Sequence, residues 1–283
     1  MQRYKIVHHT YYNFSAEVQL EPHALRLRPR EDHEVRIESS RLEITPPATL
    51  RWHRDVEGNS VAIASFDSAA NQLTIKSEII IQHFNKDPLD FLVSGYAVNY
   101  PFSYQTDDQF MLSPCMVMPG DEIKTLLTDW IATVWQPGQQ IQTYTLLLGI
   151  CKHIHATLHY RRREEPGVQT AQQTLSCGTG SCRDFSLLLM DIARCLGLAA
   201  RFVSGYLHTD PLPTDNGSTH AWAEIYIPGA GWKGFDPTVG ELAGPDHIAV
   251  AVARLAESVP PVAGSFVGIP GSNLDVGVWV TRC

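Results

Sequence analysis

Residues 178–206, GTGSCRDFSLLLMDIARCLGLAARFVSGY, decide how the rest of the chain is read. Phe185, Leu188, Leu189, Ile192 and Leu196 fall at offsets 0, 3, 4, 7 and 11, the period of a helix with one buried stripe. Gly197 ends that helix, and Ser181 with Asp184 three residues on forms a capping-box-like start that places Cys182 in the first turn. AARFVSGYL then reads as a strand, so the segment couples a core helix to a sheet.

Downstream, HAWAEIYI (220–227), WKGFDP (232–237), DHIAVAV (246–252) and LDVGVWV (274–280) are strand-like. Upstream, Ile123, Leu126, Leu127, Trp130, Ile131 and Val134 make a helical stripe after the Pro119-Gly120-Asp121 start signal, and a second helix is expected over about 139–159. Helices followed by strands predict an α+β core. The first 85 residues are different in kind. Tyr4, Ile6, His8, Thr10 and Tyr12 alternate along one face, and further strand patterns at 35–44, 50–56, 60–66 and 73–84, with VEGNS (56–60) as a hairpin turn, predict a β-sandwich. A chain of 283 residues exceeds the usual single core, so two units are expected: 1–115 as the sandwich and 116–283 as the α+β domain, the last strand returning to the sheet of either one.

Chemistry concentrates at Cys182. The nucleophile is a thiolate, and a free cysteine with a pKa of about 8.5 is mostly protonated at neutral pH. Unpaired N–H groups and the positive end of the helix dipole favour a negative sulfur, with Arg183 as a further positive charge. The amide of Cys182 itself is placed to bind an oxyanion formed at the sulfur, and Gly178 and Gly180 let the backbone approach a substrate. Cysteine is also among the most buried residue types, so the partners decide.

His220 heads one strand and Asp236 ends the next. Cysteine, histidine and carboxylate are what nucleophilic acyl transfer requires: a base that shares a proton with sulfur and an acceptor that holds its second nitrogen. A four-residue turn over Pro228–Gly231 would leave the two side chains three strand positions apart, about 10 Å, so contact demands a bulge or a shifted turn. Trp222 is expected to touch substrate, with Trp232 and Tyr206 as weaker candidates; core packing is the ordinary use of all three.

Other candidates are weaker. His155 and His159 lie four apart, but HIHATLH lacks the glutamate of a zinc helix and a third ligand, and Cys177, Cys182 and His220 fit no zinc spacing. Cys177 reads as a loop thiol, with a regulatory disulfide to Cys182 as the alternative. Arg161, Arg162 and Arg163, followed by Glu164 and Glu165, read as a solvated loop. NGS (216–218) matches a glycosylation sequon. A formal charge of −8 disfavours nucleic acid or an anionic membrane as partner, and no stretch has the roughly 20 apolar residues of a span. With no signal-type N-terminus and six cysteines in no short framework, a cytoplasmic protein with free thiols is expected.

GSCRDF…LGLAARFVSGY and HAWAEIYIPGAGWKGFDPT resemble the core of the bacterial transglutaminase-like family, described as candidate cysteine proteases, and HHTYYNFSAEV…EPHALRLRPR is similar to the β-rich N-terminal region that accompanies it. The resemblance implies a papain-like fold for the core and matches Cys182, His220 and Asp236 to the family's triad. Papain-type enzymes carry a glutamine oxyanion donor six residues before the cysteine; Ser176 stands there, Gln172 and Gln173 lie further off, and the second donor is unassigned. No acidic constellation resembles the calcium sites of animal transglutaminases, so no metal or cofactor is inferred. The expected activity is hydrolysis of a peptide or carboxamide bond through a thioester, on a peptide or protein substrate. The alternatives are amine transfer and a non-catalytic peptide-binding module.

Overall fold

The computed structural model describes residues 1–84, 87–118, 120–163, 165–209 and 219–283. Pro119, Glu164 and the NGS sequon lie outside the described residues.

The N-terminal unit is a sandwich of two antiparallel sheets. One contains β1 (Gln2–Leu20), β3 (Val35–Thr45) and β6 (Ala70–His83), with β1 paired to β6, and β6 to β3. The other contains β2 (His23–Leu25), β4 (Ala48–Arg54) and β5 (Ser60–Phe66). The alternation read from the sequence is the reason: Tyr4, Ile6, His8 and Thr10 all point inward from β1. Val18, Leu20, Leu25, Ala62, Phe66, Leu73 and Ile75 fill the space between the sheets.

The helical part follows with α1 (Thr106–Leu112), α2 (Asp121–Ile131), α3 (Thr143–Thr157), α4 (Ala171–Cys177) and α5 (Cys182–Cys195). Two short pairings tie it down: β7 (Asn99–Tyr100) with β8 (Ile141–Gln142), and β9 (His159–Tyr160) with β10 (Thr179–Gly180). The β8 pairing explains why α3 starts at Thr143 rather than near 139. Helix α4 was not expected, although TAQQ (170–173) carries its signal, a complete capping box between Thr170 and Gln173.

The core sheet is antiparallel, in the order β14 (Glu241–Leu242), β13 (Gly231–Asp236), β12 (His220–Ile227), β11 (Ala200–Leu207), β15 (His247–Ala253). Helix α5 lays Phe185, Leu188, Leu189 and Ile192, all but fully buried, on this sheet beside Ala223, Ile225 and Phe235. Each such apolar side chain stabilises the packing by about 1.5–3 kcal/mol.

The packing does not divide the chain at 115/116. Tyr100, Tyr104, Leu112 and Cys115 sit in the helical core, where the Tyr104 hydroxyl donates to Tyr226 O at 2.8 Å. Conversely, β16 (Val262–Ala263), β17 (Phe266–Val267) and β18 (Ser272–Arg282) return to the sandwich, β18 pairing with β1 from Tyr4↔Arg282 to Phe14↔Ser272. A sequence-based boundary follows chain order, whereas these segments follow the nearest apolar surface. The sandwich and the core sheet meet through a cluster of Tyr4, Ile6, Ile79, Ile81, Tyr206, Ile248 and Val250. No helix among the described residues is long and apolar enough to cross a membrane.

Candidate active site

Cys182 is the first residue of α5 and is half-buried. The helix start is built as its sequence indicates. Asp184 Oδ2 accepts from the amide and the hydroxyl of Ser181, both at 2.8 Å, while Oδ1 accepts from Gln169 N at 2.8 Å and from Arg163 Nη1 at 2.7 Å. Burial would raise this carboxyl, but those donors hold it below its ordinary range. Both glycines of the loop serve the fold itself. Gly178 takes φ +65° to end α4, and a Cβ on Gly180 would lie 3.0 Å from Asp184 Cβ and Phe185 Cε1. Arg183 donates to the carbonyl oxygens of Arg163 and Glu165, which ties it to the segment before α4.

The hairpin resolves the register question. Ile227 pairs with Gly231, leaving a three-residue turn, and Ala223 pairs with Phe235. The position opposite Asp236 is therefore Trp222, with His220 two residues along on the same face. A four-residue turn would have shifted the pairing by one and put Asp236 on the other face. The outcome is contact: His220 Nε2 lies 2.6 Å from Asp236 Oδ2. Cys182 is the other group that acts on this ring, favouring its protonated form. Burial alone would lower the His220 pKa; the Asp236 hydrogen bond and charge, with Cys182 beside them, push it up to about 10.

Asp236 is fully buried and ionised. Burial opposes its charge, but hydrogen bonds from His220 and then His247 hold it far below the usual carboxylate range. His247 Nε2 lies 3.0 Å from Asp236 Oδ2, and Thr238 N donates to Oδ1 at 2.8 Å. Sequence reasoning missed His247. Its only signal is a histidine heading an apolar strand, as His220 heads its own. The donor atoms of His220, Asp236 and His247 lie within 4.8 Å of one another, close enough to hold a cation, but each is already engaged in this hydrogen-bond network.

Trp222 is only 2% exposed and packs with Val203 and Val252, its ring 6.2 Å from that of His220 and 5.2 Å from that of His247. It lies behind the histidines. Tyr206 is buried and bonds His8, and Trp232 lies under the Arg201 guanidinium. Cys177 is exposed, and all six cysteines are thiols. His155 Nδ1 bonds Thr238 O at 2.8 Å, a structural use.

Cys182 opens on a cleft of about 540 Å³ between the two units. One wall is Ser181, Arg183, Tyr160 and Thr219; the other comes from the sandwich, with His8, Thr10 and Tyr12 of β1 and Leu274–Val276 of β18. The β domain thus forms part of the site, which the sequence does not reveal.

A thiol at a helix N-terminus, beside a cleft and with a buried imidazole–carboxylate couple in the same domain, fits a thiol-dependent enzyme on an α+β scaffold. Residues 138–237 match the transglutaminase-like superfamily and residues 4–82 the bacterial transglutaminase-like N-terminal region. It is similar to a candidate cysteine protease from Cytophaga hutchinsonii, with a TM-score of 0.75 and 18% identity over 99% of this chain and 90% of that one, a likeness of fold. It is also similar to uncharacterised proteins of Mycobacterium tuberculosis, at 29% identity over 98% of this chain and 92% of the relative, and of Mycobacterium leprae, at 27% over 100% and 99%.

Proposed function

We propose that the chain is a cysteine peptidase or amidase working through Cys182, His220 and Asp236. The observation that carries this reading is the buried His220–Asp236 contact of 2.6 Å, on a ring whose protonation Cys182 also favours. His220 takes the thiol proton, and the sulfur attacks an amide carbonyl; the oxyanion forms near the Cys182 amide. The tetrahedral intermediate collapses as His220 returns the proton to the departing nitrogen, leaving a thioester and a free amine. Water, deprotonated by His220, then releases a carboxylic acid and restores the thiol. Asp236 stays ionised throughout and holds the ring. The substrate is a peptide or protein, a reading supported by the cleft beside Cys182, and the six free thiols fit a cytoplasmic setting.

The test is mass analysis of a glutamine-containing peptide incubated with the protein and a primary amine. Peptide cleavage or deamidation marks hydrolysis, amine incorporation marks transfer, and Cys182→Ala stops either. No product, together with a Cys182 that an alkylating agent labels no faster than exposed Cys177, would make the chain a non-catalytic module instead.

A further inference from the structure

We propose that His247 is a positioning residue of the site, a fourth member that holds Asp236 so that Asp236 can hold His220. The inference rests on the thiol reading above and extends it to a residue outside the Cys-His-Asp set.

The geometry assigns the proton. Gly244 N can only donate, and it lies 3.1 Å from His247 Nδ1, so that nitrogen accepts. The hydrogen of the neutral ring is then on Nε2, which lies 3.0 Å from Asp236 Oδ2 and donates to it. His247 N in turn donates to Gly244 O at 2.9 Å, so a tight turn fixes the residue at both its backbone and its ring. The ring edge packs on Trp222 at 5.2 Å, with an interplanar angle of 81°. Asp236 Oδ2 therefore receives two imidazole N–H groups, one from the residue that faces the thiol and one from a residue that does not.

Those two donors have different consequences. A buried carboxylate with a single side-chain donor can rotate about its χ2; with Oδ2 between two rings and Oδ1 on Thr238 N, rotation would break three bonds at once. His247 arrives from β15, which lies beyond β11 from β12, so it is not part of the hairpin that brings His220 and Asp236 together. The strand that follows it carries Ile248 and Val250 into the apolar contact with the sandwich. The alignment of the reacting pair is thus tied to the seating of the two units.

The test follows alkylation of Cys182 by chloroacetamide in the full chain at neutral pH, read by mass spectrometry, and needs no knowledge of the substrate. His247→Phe keeps an aromatic ring against Trp222 but removes the donor, and it should slow labelling by about 10-fold, the lower end of what losing the hydrogen-bond partner of a ligating imidazole or carboxylate costs at metal sites. His247→Gln can place an amide N–H near Asp236 and should recover most of the rate. His247→Asn reaches only the Gly244 amide and should behave like the Phe variant, which also covers a Phe variant that fails to fold. In an Asp236→Ala background, His247→Phe should cost nothing further. Unchanged labelling in both His247→Phe and His247→Asn, no recovery with Gln, or an undiminished effect in the Asp236→Ala background would overturn the positioning role alone. A wild-type Cys182 that labels no faster than Cys177 would overturn the thiol reading, and the positioning role with it.

Discussion

Replacing Asp236 by Asn removes the charge that sustains the His220 imidazolium. The His220 pKa stands at about 10 rather than its ordinary 6.5, although burial alone would push it down. That rise corresponds to roughly 5 kcal/mol of preference for the protonated ring, at 1.36 kcal/mol per tenfold step. Asp236 is the first-named group that raises it, and without that charge the ring falls back toward its ordinary value, which burial lowers further, so the fraction of His220 protonated at neutral pH drops by about tenfold. Second-order alkylation of Cys182 should fall by that factor in Asp236→Asn, and the gap should close as the pH approaches 10, where the wild-type ring loses its proton as well. The sign for stability follows from the same shift. Because the folded pKa is raised, the pair's contribution is fully present below pH 6.5 and lost as the pH climbs to about 10. Urea unfolding of wild type should weaken across that window, and Asp236→Asn should lack this component. Equal alkylation rates and equal pH dependence in a folded Asp236→Asn protein would refute the reasoning.

Two further predictions test the packing around the site. His8 is buried, its Nδ1 2.9 Å from the Tyr206 hydroxyl, and burial pulls its pKa down to about 4. Its neutral form is the folded one, so the stability it lends is present above pH 6.5 and lost as the pH falls toward 4, up to roughly 3 kcal/mol. His8→Gln should remove this component from urea midpoints measured at pH 7 and pH 4.5; a pH dependence unchanged by the substitution would show that His8 is not its source. Gly205 lies in the middle of β11, where an added Cβ would sit 2.4 Å from Ile248 O and 2.7 Å from Trp222 Cη2. Gly205→Ala should cost about 3 kcal/mol or more by forcing β15 and Trp222 apart, seen as a lowered Tm, whereas an unchanged Tm would mean that the strand yields freely.

Much of this protein is local and therefore legible along the chain. The stripe from Phe185 to Leu196, the Ser181–Asp184 cap and the position of Cys182 depend on contacts a few residues apart, so periodicity and capping chemistry reveal them. The alternation along β1 is equally local. The register of the hairpin is not, because one residue more or less in the turn leaves the pattern of apolar residues almost unchanged yet moves Asp236 to the opposite face. His247 escapes notice because its partner stands eleven residues back and on a different strand. The sequence by itself determined the helix, the place of Cys182 at its start and the general class of chemistry. Only the tertiary structure decided that the last strand closes against β1, that the sandwich walls the cleft, and that two histidines converge on one carboxylate. Pairings between distant strands are chosen by which apolar faces can be buried together, a choice that no short window of residues contains.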